Sequence, residues 1–177
     1  MNNQVSSGCN IAGVLYDKSI DIDAILFAVV EKLRSKGVRI TGLLQRFGDV
    51  TSAGKRSMFV ENLASGERIR LDQPRGSEAS GCMLDPDALA KASHVIRSAI
   101  GSRPDLLVVN RFGQQEAEGH GLRPELAEAV GAGVTTIVPV SRALIAQWKD
   151  FVGESGEIVE PNPPEMLAWV FQRISTR

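Results

Sequence analysis

Four short apolar runs in this chain end in polar residues that could do chemistry. Asn10–Tyr16 leads into Asp17-Lys18-Ser19, with Asp21 and Asp23 just behind. Val38–Leu44 leads into Gln45-Arg46, Asp105–Val109 into Asn110-Arg111, and Thr135–Val140 into Ser141-Arg142. Arginine therefore follows three of the runs at once or one residue later. A guanidinium presents a planar fork of donors that matches phosphate and other oxyanions in pairs of hydrogen bonds. Arg46, Arg111, Arg142 and Lys18 are thus expected to gather around a small anionic ligand. The alternative is that these heads are simply solvated, as most arginines are. Asp17 and Asp23 are the acids placed to hold a divalent cation, whose ligands are oxygens.

The first of these loops sets the limits on phosphate chemistry. A loop of the form GxxxxGK[ST] wraps phosphates in backbone N–H groups and sends its lysine to the outer ones. Asp17 to Asp23 reads DKSIDID: it has no glycine and three carboxylates. A helix N-terminus attracts anions, but here the chain already supplies them. They repel a triphosphate unless a cation bridges, which counts against ordinary ATP hydrolysis. Gly48 to Lys55 imitates the motif, yet five residues separate its glycines, Arg56 replaces the Ser/Thr and no helix follows. A loop tip is the better reading. Glu116 lies in a glycine-rich stretch (Gly113, Gly119, Gly121) with Glu118 and His120. It is the candidate general base, and the glycines would let the loop close over a ligand. Carboxylates and a histidine on such a loop are otherwise just solvated.

Elements must bring these residues together. Asn10–Tyr16 reads as a buried strand, 24–35 as a helix capped by Asp21 or Asp23 and stopped by Gly37, and Val38–Leu44 as a second strand. That is a βαβ unit, which implies parallel strands. Ser57–Leu63 and Glu67–Leu71, joined by Ala64-Ser65-Gly66, read as an inserted β-hairpin at about 55–73. After a loop from Pro74 to Gly81, Asp85-Pro86 starts a helix to Ile100. Strands at 105–109, 135–140 and 156–160 then alternate with helices at 124–132, 143–151 and 164–174. The expectation is a single domain over 1–177, a three-layer α/β sandwich around a mainly parallel sheet. In such sheets ligands bind at the carboxyl ends of the strands, where the polar residues above stand.

Composition agrees with a globular chain: 43% hydrophobic and 23% charged residues among 177. The net charge of -1 provides no field for nucleic acid or an anionic membrane, and no apolar run has the ~20 residues a membrane span needs. Cys9 and Cys82 form no metal or redox motif and read as structural thiols, although Cys82 stands near a helix start. Met1–Gly8 lacks the apolar core of a signal peptide, so a cytoplasmic location is expected. His94 reads as structural. Trp148, Phe151 and Trp169 read as core or as packing between copies in a homo-oligomer.

With this order of elements, the chain resembles, along nearly its whole length, the small bacterial and archaeal P-loop nucleoside-triphosphatases that carry a β-hairpin after strand two. The segment Gly42–Leu71, with its Ser-Gly-Glu-Arg turn, and Asp105–Glu116 carry the likeness. In that family the third strand ends in Asp-Glu-x-Gly; here the place reads Asn110-Arg111-Phe112-Gly113, with Glu116 three residues on. The run Val108–Gly119 and the stretch Gly81–Asp85 resemble an uncharacterised bacterial branch often described as nucleotide-binding or linked to molybdenum uptake and nitrogenase gene clusters. The resemblance implies a P-loop-like fold, a nucleotide or molybdate as ligand, Mg²⁺ as cofactor and a protein partner in a metal pathway. The departures imply lost or weak hydrolysis. Asn110 removes the acid that supports Mg²⁺, and Arg111, whose pKa exceeds ~12, cannot act as a base. Three functions follow: a nucleotide- or oxyanion-binding protein with little hydrolysis, a divergent nucleoside-triphosphatase using Glu116, or a non-catalytic interaction module.

Overall fold

The computed structural model describes residues 10–50, 56–72, 85–153 and 156–175. Met1–Gly8, Cys9, the tip 51–55, the loop Pro74–Gly81 and Cys82 lie outside the described residues.

Strand β1 (Ile11–Tyr16) is followed by helix α1 (Ile22–Arg34) and strand β2 (Ile40–Val50). Strands β3 (Arg56–Asn62) and β4 (Arg68–Arg70) come next, then helix α2 (Pro86–Gly101) and strand β5 (Leu106–Val108). The one-turn helix α3 (Gln114–Ala117), helix α4 (Arg123–Gly131), strand β6 (Thr136–Ser141), helix α5 (Ile145–Val152), strand β7 (Glu157–Val159) and helix α6 (Pro163–Ile174) complete the chain. All strands join one sheet in the order β4-β3-β2-β5-β6-β1-β7. From β2 to β7 the pairing is parallel, and β3 and β4 extend it antiparallel. The three-layer α/β reading with its inserted hairpin is therefore correct. The hairpin does not stand apart, because β3 pairs with β2 and enlarges the same sheet.

Burial on both faces explains the continuous apolar strands. Along β5 the side chains alternate: Leu106 and Val108 face α1 and α6, while Leu107 and the following Val109 face α2, α4 and α5. Helix α1 fits its side through Leu26, Val29, Val30 and Leu33, and α2 fits the other through Ala88, Ala92, Ile96 and Ala99. Trp148 of α5 is fully buried over β1, and Gly13 makes room for it: a Cβ there would sit 2.7 Å from the indole nitrogen. Trp148, Phe112 and Phe151 form an aromatic cluster with centroids 5.3 to 6.0 Å apart, so Trp148 belongs to the core.

One expectation needs correction. Strand two was expected to end at Leu44, leaving Gln45-Arg46 in a loop. Instead β2 continues, with Gln45 opposite Val60 and Arg46 opposite Phe59. Its parallel partner β5 stops at Val108, opposite Gly42, but β3 supplies the backbone hydrogen bonds beyond that point.

Candidate functional site at the carboxyl edge of the sheet

β1 lies between β6 and β7, while α1 leaves it on one face and α5 leaves β6 on the other. The strand order therefore reverses beside β1, and the crevice of an open α/β sheet belongs at its carboxyl end. Tyr16, Asp17, Lys18, Asp21, Asp23, Phe47 and Arg111 line a cavity of about 340 Å³ there.

The first loop is closed on itself. Ser19 donates to Asp17 through its N–H and its hydroxyl, and the Ile20 N–H bonds the Asp17 carbonyl. The Ser19 hydroxyl and N–H hold the Asp17 carboxyl below the usual carboxylate range. Asp21 caps α1 by accepting the Ala24 N–H at 3.1 Å. The donors that would wrap a phosphate in a glycine cradle thus face a carboxylate of the chain itself.

Asp23, one turn into α1, meets Arg111, which reaches across from the end of β5. The guanidinium donates to both Asp23 oxygens at 2.9 and 3.1 Å and to the Tyr16 hydroxyl at 3.1 Å. The two side chains are only 25% and 13% exposed. Burial pushes the Asp23 carboxyl up, and this outweighs the opposing pull of Arg111. Arg46 exerts a smaller pull on the same carboxyl. Arg46 itself pairs with Glu61 at 3.1 Å and lies over the Phe27 ring, 4.1 Å from its centroid. Arg142 bonds Glu160 at 2.9 Å and comes within 3.9 Å of Asp17. Two arginines therefore flank Asp23, the third flanks Asp17, and each has a carboxylate of its own.

The remaining expected residues divide. Ser141 pairs in register with Tyr16 at the end of β6. Asn110, Arg111, Gly113 and Glu116 line a second cavity, of about 300 Å³, bounded also by Gln45 in β2. Arg111 thus stands in the walls of both cavities. Glu116 is buried, and its two carboxylate oxygens accept the backbone N–H groups of Gly113 and Leu122, each at 2.9 Å. These bonds brace the loop. His120 and Glu118 are exposed on that loop. Tyr16, Phe27 and Phe47 were missed by sequence reasoning, although the chain's one tyrosine ending a buried strand was a visible signal.

These residues do not fit a resident Mg²⁺. Both Asp23 oxygens are bonded to Arg111, Asp17 Oδ1 accepts from Ser19 while its Oδ2 faces Arg142, and Asn110 offers an uncharged amide oxygen where an acid would stand. Among the described residues no three His, Cys, Asp or Glu side chains stand close enough to hold a metal ion. Among the same residues no helix is long and apolar enough to cross a membrane.

Comparison with known proteins places this geometry. The family described as "Protein of unknown function (DUF2478)" matches residues 11–169. The "Molybdenum import ATP-binding protein ModC 2" of Bradyrhizobium diazoefficiens is 36% identical over 159 residues. The likeness covers 90% of this chain but only 18% of that relative. Among solved structures, THEP1 from Aquifex aeolicus is similar at a TM-score of 0.61 and 11% identity, over 94% of this chain and 96% of that one. A human cancer-related nucleoside triphosphatase is similar at a TM-score of 0.56 and 16% identity, over 94% of each chain. The chain has the fold of these nucleoside triphosphatases.

Proposed function

The chain belongs to the DUF2478 family, and from that premise we propose that it is a ligand-binding member of the nucleoside-triphosphatase fold that has lost hydrolysis. The observation that carries this reading is the Arg111–Asp23 bridge. A guanidinium and a carboxylate of the chain itself bridge the space between the end of β5 and the start of α1. In this fold that space serves the phosphates and their metal. Loss of the glycine cradle and the bracing role of Glu116 point the same way.

The ligand is a nucleotide or a small oxyanion such as molybdate, met by Arg111 and Lys18 with Arg46 and Arg142 nearby. A role in molybdenum or metal-cofactor metabolism is supported by the name of the relative from Bradyrhizobium. Asp23 is the gate: with a raised pKa it gives up its charge more readily than an ordinary carboxyl, and then releases Arg111 to an anion. Thermal unfolding with ATP, GTP, molybdate and sulfate, each with and without Mg²⁺, tests the binding, and phosphate release tests the chemistry. At least one anion is expected to stabilise the fold, less so in Lys18→Ala, with no turnover above background. Steady phosphate release that disappears in Glu116→Gln establishes the divergent hydrolase instead. No stabilisation by any of the four sinks the binding reading.

A second reading has its own support. The chain corresponds to a small part of a much larger relative, and Phe27 and Phe47 are exposed beside the first cavity. A module that docks on a partner protein through that aromatic edge is the alternative. A partner captured by the wild type and lost with Phe47→Ser would favour it.

A further inference from the structure

We propose that the second cavity, between the inserted hairpin and α2, is a separate binding site for a neutral, flat heterocycle that carries an N–H beside a carbonyl. Its walls are apolar on both broad sides, through Leu43, Met58, Val60 and Leu89. At about 300 Å³ it matches the lower end of small-molecule sites, roughly 300 Å³ and upward.

The polar groups in these walls define the chemistry. Leu43 and Gln45 share one face of β2, turned toward the α2 side, so Gln45 occupies a position that patterning reserves for an apolar residue. Gln45 is 2% exposed, and it lines this cavity. Asn110 Oδ1 and Arg111 Nε, from two further residues of the same wall, are buried and lack a hydrogen-bond partner. A buried polar group without a partner costs about 1–3 kcal/mol, so two such atoms beside a buried glutamine around one cavity need a reason. Together they offer two donors, from Gln45 and Arg111, and two acceptors, from Gln45 and Asn110. A lactam edge is the complement of such a set: its N–H meets an amide oxygen and its carbonyl meets an N–H. The ionised groups of the wall are already engaged: Arg111 is paired with Asp23, and the Glu116 carboxylate accepts two backbone N–H groups and would repel an anion. Nothing here compensates a polyphosphate, so the ligand is neutral. The site shares Arg111 with the first cavity and otherwise uses residues of its own.

The test uses the intact chain, with hypoxanthine and uracil as probes, 1-methylhypoxanthine as the analogue lacking the N–H, and indole as an apolar control. Binding is read from amide chemical shifts in two-dimensional NMR, and stability from urea unfolding. At least one lactam probe is expected to shift resonances of β2 and α2, and methylation or Gln45→Leu to weaken it roughly tenfold or more. Gln45→Leu without ligand is expected to be as stable as the wild type or more so, since leucine suits the apolar neighbours Leu43, Met58 and Val60. Marked destabilisation by Gln45→Leu shows that the amide serves the fold, and overturns the proposal. So does failure of both lactam probes at millimolar concentration, or equal binding of indole and the methylated analogue. Anion stabilisation that survives Gln45→Leu keeps the two sites distinct, so the proposed function can stand when this one falls.

Discussion

At the residue scale, the Arg111–Asp23 bridge is the feature with the most consequences. Because both side chains are largely buried, removing one leaves the other charged without compensation. Arg111→Ala is expected to cost on the order of 3 kcal/mol, and adding Asp23→Asn to recover part of that loss, a sign of direct coupling. Urea midpoints of the two single variants and the double variant measure it. The raised Asp23 pKa adds a pH dependence whose sign can be worked out. Its carboxyl is raised in the folded state above 3.8. As pH falls through the folded value toward 3.8, the native state takes up a proton before the unfolded chain does. The stability of the wild type relative to Asp23→Asn is therefore expected to improve across that window. Asp17 and Asp72 act oppositely: hydrogen bonds from Ser19 and from Arg70 depress them, and their contribution is lost as pH falls through their folded values. Anion binding through Arg111 should strengthen as Asp23 protonates. A binding profile that stays flat while Asp23 itself is seen to take up its proton, by NMR of its carboxyl, would rule out Asp23 as the gate. Glu116 belongs to this scale too. Glu116→Gln keeps one acceptor oxygen for two N–H groups and is expected to cost about 1–3 kcal/mol, with no effect on chemistry.

At the scale of elements, the carboxyl edge works because β2 and β5 approach closely behind it. Gly42 sits opposite Val108 at φ +111°, and a Cβ there would lie 2.0 Å from the Val108 carbonyl oxygen. Gly66, in the turn between β3 and β4, has φ +76° but open space around it. The pair separates collision from backbone strain. Gly66→Ala should cost about 1 kcal/mol, from the left-handed conformation alone. Gly42→Ala should exceed about 4 kcal/mol, because backbone cannot yield as a flexible side chain can. Chemical denaturation of both variants checks the difference. Gly66's place in the hairpin turn is visible in sequence; the close approach of Gly42 to Val108 is not. What was visible is instructive: DLLVV after a Gly-Ser-Arg-Pro loop, and Asp85-Pro86 before a periodic run, place a strand and a helix nearly to the residue. Local signals of that kind depend only on neighbours in the chain. The extension of β2 through Gln45-Arg46 depends on β3, paired across the sheet, and no local pattern carries it. The site behaves likewise. Positions after strands were readable, but the pairing of Arg111, Arg46 and Arg142 with Asp23, Glu61 and Glu160 is set by three-dimensional approach.

At the scale of the whole molecule, the sheet separates two hydrophobic cores, each holding one of the chain's two tryptophans. Trp148 is buried among Phe112 and β1 on the α5 face, and Trp169 lies on the α6 face, where its N–H bonds Glu157. Neither core has a sheet of its own, since every central strand lends alternate residues to both. Loss of β5 or β6 removes side chains from the two faces at once, so the faces cannot melt separately. Single-tryptophan variants, Trp148→Phe and Trp169→Phe, should each show fluorescence and far-ultraviolet dichroism transitions that coincide in urea. Their midpoints will differ, because Trp148→Phe empties part of a fully buried position and should cost more than the change at Trp169. If the Trp169 signal were lost well before the dichroism, α1 and α6 would be a separately unfolding layer. The first cavity, built partly on α1, would then be open to rearrangement without loss of the sheet. Coincident transitions instead fix Asp23 and Arg111 in one cooperative unit. Whatever ligand the edge takes must then displace the bridge within a rigid frame, and its stabilisation should appear undiminished in both tryptophan signals.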